Sequence, residues 1–83
     1  MEPKQIGKVF NYFDKIGVAA VEITDSELNL GDKIKIKGPT TEFEQEVESM
    51  QIDGKEVLDV SAGKSVGIKV NDKVRKNDVV YLV

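Results

Sequence analysis

Apolar and polar positions in this chain alternate in twos, and no stretch keeps the 3.6-residue apolar period of a helix. The clearest stretch is Leu28 to Gly38, where Lys33, Lys35 and Lys37 take one face of a strand and Ile34 and Ile36 the other. Gly31 and Asp32 precede it as a turn, the glycine supplying a positive φ and the aspartate a carboxylate for nearby amides. Gly38 and Pro39 end it, because proline has no N–H to give to a ladder. The same alternation predicts strands over 6–13, 18–24, 42–52, 56–60, 65–70 and 78–83. It predicts Val9, Val18, Val21, Ile23, Ile34, Ile36, Val47, Val66, Ile68, Val79 and Tyr81 as inward or rim-packed, with Phe13 a further candidate. Leu28 is expected under a loop, Val74 turned in from a polar one, and residues 1–5 frayed.

Turn chemistry separates these strands. Asp53-Gly54 is a two-residue hairpin signal, and Gly63 centres another turn. Phe43 and Val47 share a parity that Met50 and Ile52 do not, which predicts a β-bulge near Ser49. Antiparallel pairing would set the lysines of 33–37 against Glu42, Glu44, Glu46 and Glu48, a charge ladder on a wet face. With 83 residues the chain reads as one domain, 1–83. The expected fold is all-β: a small closed or nearly closed antiparallel β-barrel of about six or seven strands, since closure removes unpaired edges.

Composition narrows the function classes. With 40% hydrophobic and 33% charged residues the chain falls among soluble globular domains. It has no apolar run long enough for a span and no basic-then-apolar leader, so a cytoplasmic protein without membrane contact is expected. Cysteine and histidine are absent, which removes thiolate ligands, the commonest metal ligand and the usual neutral-pH base. No metal, cofactor or catalytic role is therefore expected. Ala62-Gly63-Lys64-Ser65 ends like a phosphate loop, but Leu58 stands where its first glycine belongs, and Val66, Ile68 and Val70 continue as a strand rather than a helix. The carboxylates Asp72 and Asp78 and the run 42–48 do not match calcium-loop spacing. A net charge of −3 argues against general nucleic-acid binding, DNA included. The basic residues nonetheless gather in Lys64, Lys69, Lys73, Arg75 and Lys76, which are the candidate RNA contacts, and Tyr12, Phe13 and Tyr81 are candidates for base stacking.

Taken in order, IGKVFNYF and VAAVEI, then LNLGDKIKIKG, then VESMQIDGK, SAGKSVGIKV and NDVVYLV resemble the second domain of translational GTPases such as elongation factor Tu. The chain is especially similar to small stand-alone elongation-factor-like proteins of archaea, and a related barrel also ends certain peptidase-family proteins. The resemblance implies a translation-related binding module contacting transfer RNA, the ribosome or a partner GTPase, with no hydrolysis, because the GTPase domain is missing. It also implies that Val66-Gly67-Ile68 crosses the core where a side chain would crowd. Lys64 stands where the family is commonly acidic, and Asn77 replaces a glycine while still tolerating positive φ. The alternative is a protein-interaction barrel that works beside a larger enzyme without touching RNA.

Overall fold

The computed structural model describes residues 4–83. These form ten strands: β1 (Lys4–Phe13), β2 (Val18–Ile23), β3 (Leu28–Asn29), β4 (Lys33–Lys37), β5 (Glu42–Glu46), β6 (Met50–Ile52), β7 (Lys55–Glu56), β8 (Asp59–Val60), β9 (Ser65–Lys69) and β10 (Val79–Leu82). Eight make one antiparallel sheet in the order β5-β4-β10-β1-β2-β9-β6-β7, while β3 pairs separately with β8. Lys4 and Gln5, expected to be frayed, pair with Leu82 and Tyr81; residues 1–3 of that expectation lie outside the described residues.

The order of strands forces the sheet to curl. β5 and β6 stand first and seventh in the sheet, yet only Val47–Ser49 joins them. Strands spaced about 4.8 Å apart would hold them nearly 29 Å apart if flat. The link can span at most about 14 Å. The sheet therefore rolls until its ends approach, and the core lies inside the roll. The backbone ladder does not close, however. β5 and β7 are the two free ends, so the expected closed barrel is corrected to a curled sheet with a seam. The physical reason is the predicted irregularity near Ser49, which changes partners instead of bulging within one strand. Val47 N–H donates to the Asp32 carbonyl at 2.8 Å, and Lys69 N–H donates to the Ser49 carbonyl at 3.2 Å. A buried side chain crosses the seam instead. Gln45 Nε2 donates to the Lys69 carbonyl at 2.8 Å and to the Glu46 carbonyl at 3.3 Å, and Oε1 accepts from Asn71 N–H at 2.7 Å.

The core contains Ile6, Val9, Ala19, Val21, Ile23, Leu28, Ile34, Ile36, Val47, Met50, Val60, Val66, Ile68, Val70, Val74 and Val80. Most predicted core positions on β2, β4 and β9 are inside. The parity expected on β10 is reversed: Val80 is buried while Val79 and Tyr81 are only half-buried. Val80 lies opposite Ile36 and Gly7, so the register of the neighbours decides what the run Val-Val-Tyr-Leu cannot. The register shift in β1 between Gln5 and Gly7 lets Ile6 and Val9 both be buried although they differ in parity, and a second, between Val9 and Asn11, brings Tyr12 against the core. The strand expected over 56–60 is split, with Leu58 exposed between β7 and β8. Asp53 and Gly54 take consecutive φ values of 52° and 78°, the two left-handed residues of a tight hairpin. Asn77, at φ 75°, tolerates the same region.

The charge ladder forms as expected. Lys33, Lys35 and Lys37 face Glu46, Glu44 and Glu42, and the ion pairs run diagonally: Lys33–Glu44 at 3.4 Å and Lys35–Glu42 at 3.1 Å. The Lys35 hydrogen bond, then the charges of Lys35 and Lys37, hold the Glu42 carboxyl below its ordinary pKa. A depressed carboxyl pKa stabilises the fold above its unfolded value, and that contribution fades as pH falls through the lowered one.

Gln45→Ala should destabilise the domain by about 1–3 kcal/mol in urea unfolding, because the Lys69 carbonyl and Asn71 N–H lose their partner. The Asn71 amide should exchange faster in the same variant. Lys35→Met should raise the Glu42 titration midpoint toward that of an ordinary glutamate, as read by carbonyl NMR; an unchanged midpoint would refute the pairing.

Candidate docking surface

The outer face of the sheet, opposite the core, is apolar along one band. Register places Phe13 opposite Val18, Ala20 opposite Gly67, and Gly67 opposite Gln51, so these side chains share that face across β1, β2, β9 and β6. The floor is low because Ala20 and Gly67 bring almost no side chain there. Two depressions meet at Gln51 and Gly67. One, of about 380 Å³, is walled by Phe10, Phe13 and Ile52; the other, of about 340 Å³, by Ile16, Val18 and Lys69. Phe10 and Phe13 are each 47% exposed and Ile16 is 64% exposed. The register shift at Val9/Asn11 leaves Phe10 outside the β1–β2 pairing, so the bulge that keeps the core register also exposes an aromatic ring. Val66 and Ile68 enter the core, but Gly67 between them faces outward, contrary to the core crowding that the resemblance implied there. A Cβ there would meet the Val18 side chain at 3.2 Å on the outer face and begin to fill the trough.

Sequence reasoning missed Phe10 and Ile16 and offered Phe13 both as an inward residue and as a base-stacking one. The one available signal was Phe10 beside Val9, two large apolar residues in succession within an alternating strand. Of the other aromatic candidates, Tyr12 packs against the core and Tyr81 is half-buried in β10.

The predicted basic cluster is dispersed. Lys64 precedes β9 and Lys69 ends it, so the two stand at opposite ends of one strand. Lys69 lines the trough. Lys73 and Arg75 instead line a seam cavity of about 230 Å³ with Thr40, Thr41, Glu42, Phe43 and Asp72. Lys76 is exposed beside them in sequence but is not among that cavity's lining residues.

Among the described residues Thr41, Gln45 and Asp78 are the buried polar ones, and no buried side-chain nitrogen or oxygen there lacks a hydrogen-bond partner. Asp78 Oδ2 accepts from Arg75 N–H at 2.9 Å, and a Cβ at Gly38 would overlap its carboxylate, so this acid is enclosed by its own fold. Among the described residues no group of three or more acidic or histidine side chains is placed to hold a metal ion. No helix there is long and apolar enough to cross a membrane.

No family model matches the chain. A protein of Methanocaldococcus jannaschii named an uncharacterized protease is 44% identical over 80 residues, which cover 95% of this chain and 19% of that protein. A collagenase of Porphyromonas gingivalis is 40% identical over 77 residues, covering 92% of this chain and 21% of its own. The chain thus spans about a fifth of the curated relatives it matches. Two crystal structures of the C-terminal domain of a Geobacillus thermoleovorans protein assigned as a U32 peptidase share the fold. Their TM-scores are 0.87 and 0.88 at 23% identity, covering 94% and 96% of this chain and 98% and 92% of theirs. These likenesses overturn the resemblance to translation factors, archaeal elongation-factor-like proteins included. The translation-related module contacting RNA, the ribosome or a GTPase is withdrawn with it. The residues that carried the resemblance are turn glycines, a Gly-Asp launch and core alternation. Those are requirements of a small antiparallel fold, and a fold hosts many functions.

If the trough is a free surface rather than part of the core, its rings can be removed cheaply. Phe13→Ser should cost at most about 1 kcal/mol, whereas Ile36→Ala should cost about 2–5 kcal/mol. Chemical denaturation measures both, and equal losses would place Phe13 in the core.

Proposed function

We propose that this chain is a non-catalytic docking module that works beside a larger peptidase-type body and holds to it through the Phe10–Phe13 trough. The observation that carries the reading is the pair of half-exposed phenylalanines over a floor of alanine and glycine. Leaving large rings in water forgoes stabilisation that burial would supply, at about 25 cal/mol per Å² of apolar surface. A partner that covers them recovers it, and exposed apolar patches commonly mark such contacts. The likeness to proteins called proteases and collagenase, about five times longer than the matched segment, supports a peptidase-type body as that partner. Absent histidine and cysteine and the fully engaged buried polar groups support a module that supplies contact rather than chemistry. In this reading the module is a barrel nearly closed by side chains at its seam, stiff enough to present the trough without rearranging.

The test uses the Methanocaldococcus jannaschii protease with its matching segment removed, mixed with this chain and run on a sizing column. A complex should form and should weaken at least about tenfold for Phe10→Ser with Phe13→Ser, as expected when central aromatic anchors are lost. Lys73→Glu should leave it unchanged. Absence of any complex, or peptide hydrolysis by this chain alone, would overturn the proposal.

A further inference from the structure

The seam cavity is lined by Thr40, Thr41, Glu42 and Phe43 on one side and by Asp72, Lys73 and Arg75 on the other. Its charges are not equally committed. The Glu42 carboxylate lies 3.1 Å from Lys35 Nζ, in the outer ladder. Neither Lys73 nor Arg75 has an ion-pair partner among the described residues, and Asp72 is the one lining acid without a cation. Two free cations thus stand against one free carboxylate, whose Oδ1 already accepts the Lys73 N–H at 2.8 Å. Thr41 is a second, independent sign. Only 6% of it is exposed, yet its hydroxyl takes no hydrogen bond among the described residues. No sealed side-chain oxygen there lacks a partner, so this hydroxyl is not sealed, and it opens on the cavity that Thr41 lines. Glu42 adds a main-chain donor. Gly38 N–H donates to the Thr41 carbonyl at 2.7 Å, which turns Thr41 toward β4; by the alternation of the ladder, Glu42 N–H turns toward the seam. Both walls are held. Val74 is buried between Lys73 and Arg75, Arg75 N–H donates to Asp78 Oδ2 at 2.9 Å, and Asn71 N–H donates to Gln45 Oε1 at 2.7 Å.

We propose that this cavity is a binding site for one carboxylate of a peptide, supplied by its chain end or by an aspartate or glutamate side chain. Arg75 offers the planar fork that matches a carboxylate, and Lys73 a second cation. The Thr41 hydroxyl and the Glu42 N–H are two neutral donors beside them. Half-buried Phe43 gives the carbon stem of the ligand an apolar wall. Size and charge limit the occupant. Sites for drug-sized ligands run roughly 300–1,000 Å³, so a cavity of about 230 Å³ takes the end of a single residue. The Gln45 bridge to Lys69 and Asn71 closes the seam beyond it, so no strand follows. A polyanion is the wrong occupant. Glu44 and Glu46 continue the row next to the site, and the chain as a whole carries a net charge of −3.

The cavity shares no lining residue with the aromatic trough, so the two proposals fail separately. The probes are N-acetyl-alanyl-valine with a free carboxylate and N-acetyl-glutamate amide, each titrated into the intact chain at low salt and followed by amide NMR. At least one should shift the Thr41, Glu42, Lys73 and Arg75 amides to saturation, while the Phe10 and Phe13 amides stay as they were. The tighter of the two identifies the source of the carboxylate. N-acetyl-alanyl-valine amide and N-acetyl-glutamine amide, the uncharged counterparts, should leave those amides unmoved. Arg75→Gln should weaken binding about tenfold, and Thr41→Val, which keeps the shape and removes the hydroxyl, about threefold. Asp72→Asn should tighten it. Arg75 and Asp72 are exposed, so these two variants leave the core intact. The proposal is overturned if neither acid binds or if an uncharged counterpart binds as well. It is equally overturned if inorganic phosphate binds as tightly as the better acid, or if Arg75→Gln leaves the affinity unchanged.

Discussion

The Gln45 side chain is the interaction that holds the seam of the rolled sheet together. The backbone cannot seal the seam, because Val47–Ser49 spends its own hydrogen-bonding groups on Asp32 and Lys69. One amide side chain bonds both a carbonyl and an N–H across the gap, and only an uncharged group with donor and acceptor can do so. Its burial strengthens those bonds and makes their loss expensive. With the seam held, Ile34, Ile36 and Val47 on one flank stay packed against Val66 and Ile68 on the other, within a domain about 30 × 30 × 20 Å.

Two outward surfaces follow from the same roll and differ in character. One flank carries the lysine–glutamate ladder, which stays wet and contributes little to stability, since exposed ion pairs are worth roughly 0–1 kcal/mol. The other carries phenylalanines over alanine and glycine, dry in composition and open to solvent. A charged row protects an edge from indiscriminate pairing while a trough of rings invites a fitted partner. The domain therefore turns a charged row and an apolar trough outward on separate strands.

How much of this was legible in sequence depends on whether polar residues marked the pattern. Lys-Ile-Lys-Ile-Lys fixed its own faces, Asp53-Gly54 announced its turn, and Leu28 and Val74 stood out as lone apolar residues in polar loops that the core does bury. Where the marking failed, so did the reading. Val79 to Leu82 has no polar alternate, and the inward parity came out reversed because neighbouring register settles it. Phe10 was lost because a bulge is a relation between two strands and leaves no unambiguous residue type behind. The parity change between Val47 and Met50 was visible, but not that it marks a passage across the seam. Function was least legible of all, since the matched motifs described turns and packing rather than a contact surface.

The passage from β5 to β6 carries a consequence for how this domain can change in length over evolution. Insertions at Asp53-Gly54 or around Gly63 would extend a solvent-facing loop and leave the strands in register. An insertion within Val47–Ser49 would displace Val47 from the core and carry the Gln45 bridge out of reach of Lys69 and Asn71. A deletion there would pull two strands together that stand on opposite sides of the seam. The hairpin tips are thus free to drift among descendants, while this short tether is the ruler against which the circumference of the whole domain is set.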